Sequence, residues 1–362
     1  VKDINIFYLI LSFLVSFSFS FLFSYLHKYT EIGIDLSTGI QKFHSKPTSR
    51  LGGIGLFFGV LSFFIFNGYS NSFSVYFPAI LFLSSIPVFL GGLIEDLTHS
   101  VSPRIRLFLA FFSANLFCFL TNSGVERTDI TAIDWLLHWQ AIAYLTTLLV
   151  IAGFTHSINI IDGFNGLASS QIFLMLSFLS LISFNLKENE LLLYCLLLFV
   201  ANLAFFSLNW PYGKIFLGDG GAYFLGINVV FIGLSLVHKH KDLSPFFPIM
   251  LGLYPLVEIL FSIYRRVLVK GKSMNEPDAL HLHSLIYRRI ILKYNSKFIS
   301  STTIRNSFVC IYFFFTSLFF DSLSFFFQNK TQILIIFFCS FIFLYLWSFK
   351  KIVTFKSKSI TF

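Results

Sequence analysis

Four short polar stretches interrupt an otherwise apolar chain, and each carries side chains able to handle a phosphate or a divalent cation. The longest, Leu208 to Gly221, holds Asn209, Lys214, Asp219 and four glycines. Asp219 directly precedes an apolar run, where a carboxylate can cap the helix that begins there or give one oxygen to Mg2+. Lys214 can meet a phosphate as a mobile point charge. The GxxxxGK[ST] order of a P-loop is absent.

The second stretch is Glu95-Asp96, at the end of an apolar run. Adjacent carboxylates repel unless they share a cation, and at a helix end they point about 100° apart, so at most one is a direct ligand. Solvated loop acids beside Arg104 and Arg106 are the plainer reading. The third runs from Asn159 through Asp162 to Asn165 and Gly166. Asp162 and Asn165 share a face if the segment is helical, while Asn and Asp at a helix end also serve as caps. The fourth, from Asp278, contains His281 and His283, which diverge on a helix and share a face in extended chain, so a bidentate zinc site is not natural. Phosphate contact or nucleotide orientation fits them better, with surface histidines as the alternative. Arg50, in the stretch from Lys46 to Gly53, is placed for a lipid headgroup or a pyrophosphate, and Gly52-Gly53 allows close backbone packing.

The elements that must position these residues are membrane helices. Of 362 residues, 56% are hydrophobic, 12% are charged and 52 are Phe. A soluble domain of this size cannot hide so much apolar surface. Apolar runs fall at roughly 4–27, 52–69, 75–94, 104–121, 139–158, 167–184, 190–208, 221–237, 245–263, 303–321 and 331–349. A helix of about 20 residues crosses about 30 Å of hydrocarbon, so eleven spans are expected. With the N-terminus outside and the C-terminus cytoplasmic, one side receives 20 Lys and Arg and the other six. That bias makes the first side cytoplasmic, and all the polar stretches fall on it.

The net charge of +9 is accounted for by basic loops beside an anionic leaflet rather than by nucleic acid. Cys118, Cys195, Cys310 and Cys339 lie in apolar runs without CxxC spacing and read as small buried hydrophobes. The first run reads as a retained span. The chain is one integral membrane domain over 1–362, with a large cytoplasmic loop at 264–302 whose basic part can form short surface helices. Trp135 and Trp139 suit an outer loop lying flat at the interface.

On these residues the chain resembles the polyprenyl-phosphate N-acetylhexosamine-1-phosphate transferases, members of glycosyltransferase family 4. Pro47, Arg50, Gly52 and Gly53 match the family's first cytoplasmic loop, and Asp96 matches the second of its paired aspartates. Asn159, Asp162 and Gly163 match its Asn-x-x-Asp-Gly stretch. The run from Phe206 to Asp219, and then His281 and His283, match its last two motifs. Glu95, Asn165, Ala222 and Ser284 depart from the pattern.

The resemblance implies an all-α polytopic enzyme of a bacterial inner membrane with its site facing the cytoplasm. Such enzymes transfer an N-acetylhexosamine 1-phosphate from a UDP-sugar to undecaprenyl phosphate, release UMP, and initiate O-antigen or other envelope glycan synthesis. It further implies Mg2+, with Mn2+ as a substitute, held by Asp219 with Asp96 as ligand or acceptor activator. Glu95, Asp96, Asp162 and Asp219 are then the catalytic acids. Arg50, Asn159, Asn165, Asn209, Lys214, His281 and His283 would hold nucleotide, sugar or phosphate. The bilayer is a partner, and a homodimer is compatible with this reading. The rival classes are a polytopic transporter, which predicts polar groups near midplane, and an inactive scaffold, which the departures keep open.

Overall fold

The computed structural model describes residues 6–26, 28–29, 32–36, 47–70, 74–269, 280–295 and 301–354. Lys46 and Asp278 lie outside the described residues. The order of elements is α1 (Ile6–Leu26), β1 (Ile34–Asp35), β2 (Thr48–Ser49), α2 (Gly52–Ser70), α3 (Tyr76–Thr98), α4 (Pro103–Thr121), α5 (Thr131–Leu137), α6 (Gln140–Ile161), α7 (Leu167–Asn185) and α8 (Asn189–Asn209). It continues with α9 (Gly218–Lys239), α10 (Phe246–Leu251), α11 (Leu253–Ile263), α12 (Leu282–Ile286), α13 (Leu292–Asn295), α14 (Thr302–Phe326) and α15 (Thr331–Thr354).

Every expected apolar run is helical. Among the described residues nine helices are long and apolar enough to cross a membrane, and the apolar part of α2, Gly52–Gly68, falls just short. The chain is a multi-pass, almost wholly helical membrane protein. The run 245–263, expected as one span, is instead two helices that break at Gly252. Pro255 enters there without an N–H to continue the ladder. A Cβ on Gly252 would also lie 2.2 Å from the Phe154 ring of α6, so glycine at the break leaves room for that ring.

Helix α9 is the axis. An apolar helix without a polar face must be surrounded by protein, and every residue from Gly218 to Val237 is buried. Helices α2, α3, α6 and α7 pack around it. Lipid tails are as apolar as leucine, so close approach in a bilayer depends on small residues. A Cβ on Gly53 of α2 would lie 2.3 Å from the Gly221 nitrogen, and one on Gly92 of α3 would lie 2.5 Å from the Gly220 nitrogen. The glycine pairs of three separate stretches are therefore one packing contact at the start of α9. On the far side of α2, α1 presents buried Ser12, Ser16 and Ser20, and Ser16 donates to the Ala201 carbonyl of α8 at 2.9 Å.

The helix ends follow local rules. Ser102 caps α4, accepting from the Ile105 N–H, with Pro103 in the first helical position. Trp135 of α5 and Trp139 just before α6 are exposed, as interface residues require. Residues 264–269 continue α11 as a π-helical turn, and a second π-helical turn over Tyr287–Ile291 joins α12 to α13. Leu282, Leu285, Ile286 and Tyr287 are buried, so this part of the 264–302 loop packs into the protein rather than lying on the membrane surface. One cysteine departs from expectation: Cys339 is exposed on α15, whose outward face needs only to be apolar, while the other three are buried.

Candidate active site

The site forms where the N-terminus of α9 meets the end of α3, the start of α4 and the loop before α2. Gly218 has φ +73, a conformation that glycine adopts at no steric cost, and a Cβ there would fall 2.5 Å from Asp96 Oδ2. The tight turn lets Asp96 reach across from α3 and accept from the backbone N–H groups of Asp219 and Gly220, each at 2.9 Å. These are two of the unpaired donors at the start of α9, so a carboxylate from another helix acts as its cap.

Arg50 arrives by main-chain pairing. β1 and β2 form a two-stranded antiparallel ribbon, with Ile34 opposite Ser49, a small addition to the expected all-helical fold. Beyond it the Phe216 N–H donates to the Ser49 carbonyl at 2.7 Å, and the Gly52 N–H donates to the Phe216 carbonyl at 3.0 Å. The loop is thus zipped onto the segment leading into α9. Arg50 Nη2 donates to Asp219 Oδ1 at 2.9 Å and lies 3.3 Å from Asp96 Oδ1. Arg106 of α4 reaches the other Asp219 oxygen through Nη1. Burial draws the Arg50 guanidinium down, but Asp96, Asp219 and Asp162 outweigh it and leave it above its usual range.

Asp162 caps the end of α6 within electrostatic reach of Arg50 and Asp219. Burial pushes its carboxyl up to about 7, with Arg50 opposing and Asp219 reinforcing. Asn159, one turn earlier, donates through Nδ2 to the Tyr223 hydroxyl of α9 at 2.9 Å. Glu95 is half-buried and its Oε2 accepts from the Val101 N–H at 2.8 Å. Its longer side chain spans the turn between α3 and α4, a use an Asp would reach less easily.

His281 and His283 join from the other side. His281 is in extended conformation before α12, His283 is in its first turn, and their rings stack at 5.2 Å with planes 7° apart. A Cβ on Gly163 would stand 3.7 Å from His283 Nε2, so the histidine segment abuts the Asp162-Gly163 turn. Burial pushes His283 down to about 3, and its Nδ1 bonds the Tyr254 hydroxyl at 2.7 Å.

Asn209, Asn165 and Lys214, expected to hold substrate, lie in the two loops beside the cluster. Asn209 Oδ1 accepts from the Gly166 N–H at 2.6 Å and its Nδ2 donates to the Ile215 carbonyl at 2.7 Å. Asn165 donates from its backbone to Asn306 and from Nδ2 to the Pro211 carbonyl. Both amides tie the two loops together. Lys214 is exposed beside them. Residues that sequence reasoning passed over are Arg106, noted only as a neighbour of the acids, and Tyr223, hidden in an apolar helix. An arginine at the same helix boundary as two acids was the available signal for the first; Tyr223 carried none.

Comparison with known proteins matches residues 78–237 to the model of Glycosyl transferase family 4, from α3 to α9, spanning Glu95, Asp96, Arg106, Asn159, Asp162 and Asp219. The match covers less than half of the chain and shows its similarity to that family over this span. A probable undecaprenyl-phosphate N-acetylglucosaminyl 1-phosphate transferase of Bacillus subtilis (strain 168) is 27% identical over 249 residues, 67% of this chain and 66% of that protein. The undecaprenyl-phosphate alpha-N-acetylglucosaminyl 1-phosphate transferase of Salmonella typhi is 24% identical over 263 residues, 71% of this chain and 70% of its own. Its Escherichia coli (strain K12) counterpart is 25% identical over 264 residues. The chain thus spans about two thirds of the length of the relatives it matches.

The donor set can be tested against a magnesium ion. Among the described residues no three His, Cys, Asp or Glu side chains form a metal cage. Mg2+ that works on phosphates usually takes only one or two carboxylates and leaves the rest of its shell to water and substrate. Asp219 suits that use, because its two oxygens are held in this structure by Arg50 and Arg106, groups that a phosphate would also attract. Asp96 fits as the neighbour that aims it.

Proposed function

We propose that this chain transfers an N-acetylhexosamine 1-phosphate from a UDP-sugar to undecaprenyl phosphate, releasing UMP. The observation that carries the reading is the convergence of Asp96, Asp219, Arg50 and Arg106, from four separate elements, in one buried cluster at one end of the bundle. GlcNAc is the donor sugar of first choice, since the relatives named above use it. Eleven crossings with the N-terminus outside put this end on the cytoplasmic side, where the UDP-sugar is. A transporter would set its polar groups near midplane, and these acids lie at helix ends.

In the reaction a phosphate oxygen of the lipid attacks the phosphorus bearing the sugar. The bond from that phosphorus to the UMP oxygen breaks, and a lipid-linked diphosphate remains. Both reactants are anions, so positioning and charge stabilisation dominate. Mg2+ or Mn2+, held by Asp219 with Asp96 beside it, would supply charge neutralisation between the phosphates. Arg50 and Arg106 pass from Asp219 to phosphate oxygens and hold the diphosphate in line. Asp96 keeps Asp219 and the start of α9 in register. Asn159 and Asp162 face the uridine and sugar side. A phosphate nucleophile has its second pKa near 6 and needs no strong base at neutral pH.

The test is membranes or purified protein supplied with undecaprenyl phosphate, Mg2+ and a panel of UDP-N-acetylhexosamines. UMP and a lipid-linked product should appear with at least one donor and vanish with chelator. Silence across the whole panel would remove the proposal.

A further inference from the structure

A polar side chain inside a membrane span is costly and is kept where it meets a partner. His156 lies six residues before Asp162, the C-cap of α6, about 9 Å back along the helix axis. Its ring meets the Tyr223 ring of α9 edge to face, with centroids 4.9 Å apart and planes at 64°. Yet its Nε2 is buried without a hydrogen-bond partner. Arg106 of α4 shares this defect: Nη1 engages Asp219, while Nε, also buried, has no partner. The charges that act on the His156 ring are those of Arg106 and Asp219, and both also act on Tyr223. Imidazole, guanidinium and phenol therefore share one corner between α4, α6 and α9, beside the acids.

The two unpaired atoms are complementary. An arginine Nε–H can only donate, whereas a neutral imidazole carries one N–H and one acceptor nitrogen. His156 makes no hydrogen bond among the described residues, so no neighbour forbids the lone pair at Nε2. In this structure Asp219 holds the guanidinium by Nη1 instead. A phosphate that draws the Nη groups off Asp219 leaves the guanidinium free to turn.

We propose that His156 is a positioning residue for Arg106: when Arg106 leaves Asp219 for the phosphates of a bound nucleoside diphosphate, its Nε–H donates to His156 Nε2, which fixes the guanidinium in the gripping pose. This rests on the transferase reading and takes from it only that a nucleoside diphosphate binds at the cluster. His156 touches no reacting atom. A guanidinium fork whose orientation is already set loses less freedom for each phosphate contact it makes. The plainer rival is a ring that only fills space against Tyr223.

The probe is UDP with Mg2+, titrated calorimetrically into the full chain in detergent. His156→Phe keeps an aromatic ring against Tyr223 and removes both nitrogens. Its Kd for UDP should rise about tenfold, the scale of a hydrogen bond to a charged group, while its melting temperature without ligand stays level or rises, since an unpaired buried nitrogen is gone. In an Arg106→Gln background the same substitution should change Kd by less than about twofold, because the bond has already lost its donor. His156→Gln, whose amide oxygen can accept, should stay within about threefold of wild type. An equal loss with and without Arg106, a melting temperature that falls together with affinity, or no loss at all overturns the inference. If His156→Phe does not fold, nitrogen NMR of arginine-labelled wild type decides it. The Arg106 Nε–H signal, identified by its loss in Arg106→Gln, should shift and become protected from solvent exchange when UDP is added, and an unmoved signal overturns the inference. Coupled UDP binding in a chain that makes no lipid-linked product sinks the transferase reading alone, whereas turnover with an uncoupled His156 sinks this inference alone.

Discussion

The two polar ends of the helix bundle use similar residues and differ in burial. At one end the side chains of Asp96 and Asp219 are 2% and 7% exposed and engage Arg50 and Arg106. At the other, Glu126 bonds Lys241 with side chains 48% and 61% exposed, while Glu188 meets Lys239 and His240 and Arg127 meets Asp129. Pairs of the second kind are screened by water and salt and contribute about 0–1 kcal/mol. Pairs of the first kind carry a desolvation penalty that well-packed apolar residues would avoid. Stability alone does not favour four charges within the fold at one end, whereas the proposed binding of two phosphates would.

The contrast breaks if equivalent substitutions at the two ends have equal consequences. The largest effect is expected from Asp219→Asn, which should lower UMP release by at least about 100-fold, the scale for losing one group that organises transition-state charge. Retention of full magnesium-dependent turnover would contradict the assignment. Next, Arg106→Gln leaves one Asp219 oxygen without its guanidinium and removes a phosphate contact. Its kcat/KM should fall by roughly 10- to 100-fold, equal to a charged hydrogen bond, and a steady-state assay against both substrates measures it.

Asp162→Asn sharpens the comparison through pH. The folded carboxyl titrates at about 7, whereas an unfolded Asp titrates near 3.9. Between those values the folded chain holds a proton the unfolded chain has lost, so stability falls as pH rises through the window and stays lower above it. The substitution should therefore raise the melting temperature by a few degrees at pH 8 and leave it unchanged near pH 4. A thermal melt in detergent at both pH values reads this, and an equal shift at both would remove the titration argument. The smallest effect belongs to Lys241→Ala at the opposite end, expected within about 1 kcal/mol of wild-type stability and with unaltered UMP release. A marked loss of transfer there would erase the distinction between the ends.

Several of these residues were legible before any coordinates. Asp96, Asp162 and Asp219 stand where hydropathy breaks, and a carboxylate at a membrane boundary has few structural uses. Arg50 was visible beside a glycine pair, but its ion pair with Asp219 was not, since 169 residues separate them. Asn165 and Asn209 were visible by type, but their hydrogen bonds between neighbouring loops were not. Glu258 stands within an apolar run, and its histidine partner is supplied by a segment 23 residues later.

Composition and hydropathy by themselves determined that the chain is a helical membrane protein, where its helices lie and which boundaries carry charge. Those properties depend on the local cost of placing each side chain in hydrocarbon, which adds up residue by residue. Which boundaries meet was decided only by the tertiary structure. Gly53, Gly92, Gly220 and Gly221 let α2, α3 and α9 touch backbone to backbone, and that contact brings Asp96 onto the first turn of α9 with Arg50 beside it. Such a contact depends on three surfaces fitting at once, and no one segment contains that information.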